Sequence, residues 1–159
     1  MTATDADPIL FRQLLGRFAT GVTVLTVIAP DGRPHGMTAN SLSAVSLEPP
    51  LVLVCVDHAA RLHRLITSAE SFVLNVLAWD QEELSRRFAD PHDDRFEGVP
   101  YRITREGFVR LDGALAHIEC RRQALHEAGD HTIVLGRVVG GDARDDRPLL
   151  YFRGAYGAL

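Results

Sequence analysis

VTVLTVIAPDGRPHGMTANSLSAVSLEPPLVLVCVD, residues 22–57, carries the signals that decide the fold. Residues 22–29 are rich in β-branched side chains, which fit a pleated strand better than a helix. Pro30-Asp31-Gly32-Arg33 then supplies turn chemistry, and a second extended run starts near His35, so a hairpin is expected. Leu51 to Val56 is an apolar run of strand length. Pro49-Pro50 bounds it on one side and Asp57-His58 on the other, which predicts a strand buried on both faces.

Outward from this core, the C-terminal side alternates a few helices with many short strands. Leu62, Leu65, Ile66 and Ala69 fall at helical spacing within 59–69, Ser71 to Leu77 returns to strand character, and Asp80 to Ala89 reads as an amphipathic helix capped by Asp80 with Glu83 at its third position. Residues 90–100 are polar and turn-rich, a surface loop able to act as a lid, with Phe88 and Phe96 flanking its 90–95 part. Strands are expected over Leu111 to Glu127, His131 to Val139 and Leu149 to Arg153, with Ala128-Gly129-Asp130 as a hairpin connection. On the N-terminal side Asp7-Pro8 starts a helix whose apolar residues, from Ile9 to Phe18, cover one broad face up to Gly21. The sum is a mainly β chain with a few helices. A closed or nearly closed antiparallel barrel suits it better than alternating βαβ units, and no GxGxxG follows a strand.

The chain has 159 residues, 46% hydrophobic and 24% charged. One domain over 1–159 is expected, with 1–7 as a flexible N-terminus. A formal charge of -4 argues against nucleic acid as partner, since phosphate-backbone affinity needs a concentrated positive face. Cys55 and Cys120 lie far apart and outside any ligand spacing, which predicts free thiols and no metal site. With no signal-peptide pattern and no 18-residue apolar span, the expected place is the cytoplasm, away from membranes. His35, His58, His63, His92, His117 and His126 fit no metal motif and read as surface or core residues. No GxSxG elbow supports nucleophilic hydrolysis.

Met37-Thr38-Ala39-Asn40-Ser41 interrupts the β pattern with small and polar residues, leaving hydroxyls, an amide and backbone N–H groups that can bond the edge of a planar heterocycle; a polar strand edge would read the same way. The longer string FRQLLGRFATGVTVLTVIAPDGRPHGMTANSLSAVSLEPPLVLVCVD at 11–57, with SFVLNVLA at 71–78, Gly129-Asp130-His131 and PLLYFRGAYGAL at 148–159, resembles the flavin reductase-like family. These are short-chain NAD(P)H:flavin oxidoreductases with an FMN-binding split barrel.

The resemblance implies specific roles. Thr38, Ala39, Asn40 and Ser41 would contact the isoalloxazine and ribityl chain, and Cys55, Val56 and Asp57 would pass over the ring. Arg61 would meet the flavin phosphate, although Ala60 and Leu62 replace the small hydroxyl residues common there. Gly129, Asp130 and His131 would face NAD(P)H, with His131 as the residue assigned to catalysis, and Tyr151, Arg153 and Tyr156 would close the site or a subunit interface. It further implies FMN or FAD with NADH or NADPH, a homodimer, and delivery of reduced flavin to a partner monooxygenase. NADH is preferred, because no residue plainly reads a 2′-phosphate. The alternatives are an FMN-binding electron-transfer or sensor module without turnover, and a split-barrel oxidase with its own small substrate.

Overall fold

The computed structural model describes residues 5–91 and 94–159. Residues 1–4 of the expected flexible N-terminus, and His92 and Asp93 within the expected lid, lie outside them.

The β signals of 22–57 form strands β2 (Thr23–Ile28), β3 (Pro34–Ala39), β4 (Ser43–Leu47) and β5 (Pro50–Asp57), preceded by the two-residue β1 (Thr20–Gly21). Further on come β6 (Ser71–Val76), β7 (Tyr101–Ile103), β8 (Val109–Leu111), β9 (Ala116–Ala128), β10 (His131–Ala143), β11 (Leu149–Phe152) and β12 (Ala155–Ala158). Seven of them make one antiparallel sheet in the order β3-β2-β6-β9-β10-β5-β4. Its two edges, β3 and β4, are consecutive in the chain and separated only by residues 40–42, so the sheet must curl until its edges meet. That is a barrel, split where the edges face each other without a ladder. A second sheet, β1-β11-β12, and the β7–β8 hairpin lie against it.

Strand β2 is buried on both faces, which accounts for its run of β-branched residues. Leu25 and Val27 point into one apolar cluster with Val54, Val56, Phe72 and Val134, while Val22 and Val24 join a second with Leu77, Phe88, Leu111 and Leu149. Asn75 is fully buried between the layers. Its amide donates to the Val24 carbonyl at 2.9 Å and its oxygen accepts the Leu111 N–H at 2.9 Å, so the polar group binds the small hairpin to the large sheet.

Several expectations need correction. Strand β5 buries only alternate residues, Val52, Val54 and Val56, because its other face belongs to the barrel's outside. Helix α2 runs only over His63–Ser68, since Asp57 and Ala60 fold the preceding residues into tight turns. Helix α3 (Glu82–Ala89) starts after Gln81, and Asp80 makes no cap. Helix α1 (Pro8–Leu15) begins as expected, with the Asp7 side chain accepting the Ile9 N–H at 2.7 Å, but it stops at Gly16 and its apolar face packs into no core. Strand β12 and the β7–β8 hairpin lie where no strand was expected.

Candidate functional site

The split is held by a side chain. Ser43 pairs with Leu53 in the β4–β5 ladder, so the next rung would set residue 41 against Cys55. There the Ser41 hydroxyl takes the place of backbone: it accepts the Cys55 N–H at 3.0 Å and donates to the Cys55 carbonyl at 3.1 Å. Among the described residues, the N–H groups of 40–42 belong to no ladder and to no backbone–backbone hydrogen bond. A row of donors is thus left at the barrel rim, suited to the carbonyl and ring-nitrogen edge of a planar heterocycle.

Beside this row, Thr38, Ala39 and Asn40 line a hollow of about 200 Å³ with Val22, Tyr151 and Tyr156. The end of β3 with Asn40, Tyr151 of β11 and Tyr156 of β12 thus share one hollow, while the other expected site residues lie outside it. Two of its members are already committed: the Thr38 hydroxyl donates to the Ser85 carbonyl at 2.6 Å, and the Ala39 carbonyl accepts from Thr23 Oγ1 at 2.7 Å. Asn40 is exposed. Tyr156 is fixed by a 2.8 Å hydrogen bond between its phenol and Ser85 Oγ, by the Arg86 guanidinium 4.8 Å from its ring centroid, and by an edge contact with Tyr151. Arg153 is placed elsewhere. It occupies the β11–β12 turn at φ 53°, bonds the Gly16 carbonyl through its N–H, and lines a groove with α1.

Gly129 and Asp130 form the two-residue turn of the β9–β10 hairpin, with Gly129 at φ 64°, a value that glycine adopts without strain. His131 pairs with Asp57 across the β5–β10 ladder, and the Asp130 carbonyl accepts the His58 N–H at 3.0 Å. The turn is thereby seated on the end of β5, the strand whose Cys55 holds Ser41. His131 Nδ1 lies 2.7 Å from Asp130 Oδ1. That bond, followed by the imidazole's charge, holds the Asp130 carboxyl below the ordinary carboxylate range. The Asp57 carboxylate holds the turn that follows β5, accepting the Ala59 N–H at 2.8 Å. Val56 is fully buried, so only its backbone can reach a ligand.

Sequence reasoning passed over the residues around this turn. Thr132 Oγ1 donates to Glu127 Oε1 at 3.0 Å and stands 2.8 Å from His63 Nε2, and Glu127 Oε2 lies 2.8 Å from His58 Nε2. Since the single hydroxyl proton goes to Glu127, His63 carries its proton on Nε2. The nearest signal was the paired His58 and His63 at i, i+5, which points to no known motif.

Arg61 lines a separate cleft of about 600 Å³ with Arg33, His35, Gly36, Arg95 and Tyr101. The six-residue α2 offers a phosphate little help from its N-terminus, because the His63 N–H is already bonded to the Ala60 carbonyl. Leu62 is buried in the core and Ala60 packs against it, so the two positions without hydroxyls point inward. The cationic cleft suits a phosphate and the rim donors suit a flavin ring, so the residues present fit the group the resemblance implies. Among the described residues no three metal-ligating side chains converge, and no helix is long and apolar enough to cross a membrane.

A split antiparallel barrel with a donor row at its rim, and a separate cleft lined by arginines, is suited to a flavin nucleotide. The chain belongs to the flavin reductase-like family, whose domain model matches residues 15–159. It is 44% identical over 156 residues to a Rhizobium meliloti protein named "probable flavin reductase", covering 98% of this chain and 50% of that one, so it spans half that relative's length. It is 41% identical over 157 residues to the flavin-dependent monooxygenase reductase subunit HsaB of Rhodococcus jostii, covering 98% of this chain and 80% of the relative. The structure of the Streptomyces globisporus NADH:FAD oxidoreductase SgcE6 with NAD and FAD fragments superposes at a TM-score of 0.90, with 41% identity and coverage of 98% and 96%.

Proposed function

We propose that the chain is an NADH-dependent flavin reductase that passes reduced FMN or FAD to a partner monooxygenase. The observation that carries this reading is the row of unladdered N–H groups at 40–42, held by Ser41 to the same strand that seats the Gly129-Asp130-His131 turn. Flavin, when bound, would supply the redox chemistry as the acceptor of the nicotinamide hydride. The protein's own work is positional. Residues 40–42 orient the ring edge, Tyr151 and Tyr156 wall the hollow, and Arg61 neutralises phosphate charge. His131, oriented by Asp130, offers an N–H to the nicotinamide nucleotide. No acid, base or nucleophile is required of the chain.

The relatives support the activity and the partner: one is a monooxygenase reductase subunit by name and another was solved with NAD and FAD fragments. The unpaired apolar face of α1 supports a homodimer, and the two free thiols suit the reducing cytoplasm. A steady-state assay crossing NADH and NADPH with FMN, FAD and riboflavin tests the reading. Flavin-dependent oxidation of NADH is expected. Tight flavin binding with no turnover would favour the sensor or electron-transfer alternative instead.

A further inference from the structure

We infer that Glu127 is a positioning residue for the nicotinamide side of the site: with His58, Thr132 and His63 it closes a circuit of side chains that sets the Gly129-Asp130-His131 turn and, through it, the His131 imidazole. The inference rests on the flavin reductase reading and deepens it, because this turn is the one assigned above to the nicotinamide nucleotide.

The circuit draws on three places in the chain. Glu127 lies near the end of β9, Thr132 near the start of β10, and His58 and His63 flank the turns that follow β5. The Glu127 carboxylate is engaged at both oxygens: Oε1 accepts the Thr132 hydroxyl at 3.0 Å, and Oε2 lies 2.8 Å from His58 Nε2. Thr132 Oγ1 accepts in turn from His63 Nε2 at 2.8 Å, and the His63 ring meets the His58 ring edge-on at 5.1 Å between centroids. An isolated exposed ion pair holds little in place, because solvent screens it and both side chains stay free to move. Glu127 is 72% exposed, yet its partner on one side is the fully buried Thr132, so its geometry is tied to the barrel.

The strands themselves do not need this circuit. His131 pairs with Asp57, and Thr132 with both Val56 and Glu127, in backbone ladders that join β5, β10 and β9 whatever side chains they carry. What the ladders leave open is the turn beyond them. There the path from Glu127 to His131 is short and continuous. Glu127 holds the His58 side chain, the His58 N–H donates to the Asp130 carbonyl at 3.0 Å, and Asp130 Oδ1 lies 2.7 Å from His131 Nδ1. Among the described residues the His131 imidazole has no other hydrogen-bond partner, so its direction depends on where this path puts Asp130.

The test combines kinetics with spectra of the imidazoles. Glu127→Ala should raise the KM of NADH about three- to fivefold while kcat and flavin Kd stay within about twofold. Glu127→Gln keeps an oxygen for Thr132 and an amide for His58, and should hold the KM within about twofold of wild type. His58→Ala opens the same link from the other side and should reproduce the Glu127→Ala effect. In a His131→Ala background Glu127→Ala should add nothing, since residues that act in series are not additive. Long-range proton–nitrogen spectra should show His63 protonated at Nε2 in the wild type, and His131 signals that move toward those of free histidine in Glu127→Ala but not in Glu127→Gln. An unchanged KM, unchanged His131 signals in Glu127→Ala, a Gln variant as impaired as the Ala variant, or a full further loss in the His131→Ala background would overturn the inference. Wild-type protein that oxidises no NADH with any flavin would instead remove the reductase reading, and the His131 signals alone would then decide whether Glu127 positions the turn.

Discussion

Ser41 supplies with one hydroxyl the rung that Cys55 would otherwise receive from backbone, both accepting its N–H and donating to its carbonyl. The barrel's split is therefore fastened at one point, and the neighbouring N–H groups stay out of the ladder. Ser41→Ala leaves two half-buried backbone groups of Cys55 unpaired and should cost about 1–3 kcal/mol. Flavin affinity should fall together with thermal stability, read by fluorescence quenching and by a melting curve. A melting temperature equal to wild type would show that water replaces the hydroxyl without loss.

His131→Ala separates the two ligands of the proposed reaction. The imidazole sits beside the β9–β10 turn, half-exposed and oriented by Asp130, whereas the rim donors proposed to orient the flavin ring are backbone groups at 40–42. The KM of NADH should rise by about tenfold, the value of one good hydrogen bond, while flavin Kd stays within about twofold. Equal loss of both would place His131 on the flavin instead.

Much of this arrangement was legible in the sequence, for identifiable reasons. The hairpin of 22–39 and the Gly129-Asp130 turn follow from β-branched runs broken by turn residues, and those signals are local. What was not legible depends on tertiary partners. Nothing local distinguishes the apolar face of α1, which packs into no core, from a helix face that does. The range 59–69 is periodic, yet its first turn is lost to the Asp57 carboxylate and carbonyl, which bond the N–H groups of Ala59 and Ala60. Arg153 sits two residues from Tyr151 in sequence but in a tight turn at φ 53°, which directs it to α1 rather than to the hollow. Arg95 lies in the polar stretch 90–100 that reads as a lid, and only the folded chain brings it to the Gly36 carbonyl.

The two thiols should differ sharply from an ordinary reactive cysteine. Burial pushes the Cys120 thiol up to about 12, and burial raises Cys55 as well. Since the thiolate is the nucleophile, native protein near neutral pH should react slowly with a disulfide reagent at Cys55 and not at all at Cys120. Counting thiols with and without denaturant checks this; rapid release of two equivalents from native protein would contradict it.

Asp142 predicts a pH signature remote from the site. His117 Nδ1 lies 2.7 Å from one of its oxygens and Arg110 Nη1 2.6 Å from the other. The His117 hydrogen bond first, with the charges of His117 and Arg110, holds this carboxyl below its usual value. A depressed folded pKa stabilises at pH values above the unfolded value of about 3.9, and the contribution fades as pH falls through the folded value. Because the Asp142 side chain is 54% exposed, solvent screening limits the contribution to about 1 kcal/mol. Asp142→Asn should therefore melt lower than wild type at pH 6 to 7, and the gap should close on acidification below about pH 4. A gap independent of pH would assign the effect to packing.

The face of α1 makes the last prediction. Ile9, Phe11, Leu14 and Phe18 are exposed by 64%, 56%, 58% and 72%, although a side chain of this size gains about 1.5–3 kcal/mol by full burial. A lone exposed leucine is ordinary, but four large apolar side chains left exposed on and just beyond one eight-residue helix are the kind of surface that marks an interface. The helix is also joined to the rest of the fold where the Arg153 N–H meets the Gly16 carbonyl, so a partner covering α1 would rest beside the β11–β12 turn that follows Tyr151. If a second copy covers this face, Leu14→Asp and Phe18→Asp should each convert a dimer to a monomer in sedimentation. If that copy also reaches past the β11–β12 turn to the hollow walled by Tyr151 and Tyr156, flavin affinity should drop with the dimer. Wild-type protein that sediments as a monomer would sink the idea, and α1 would then need a different occupant.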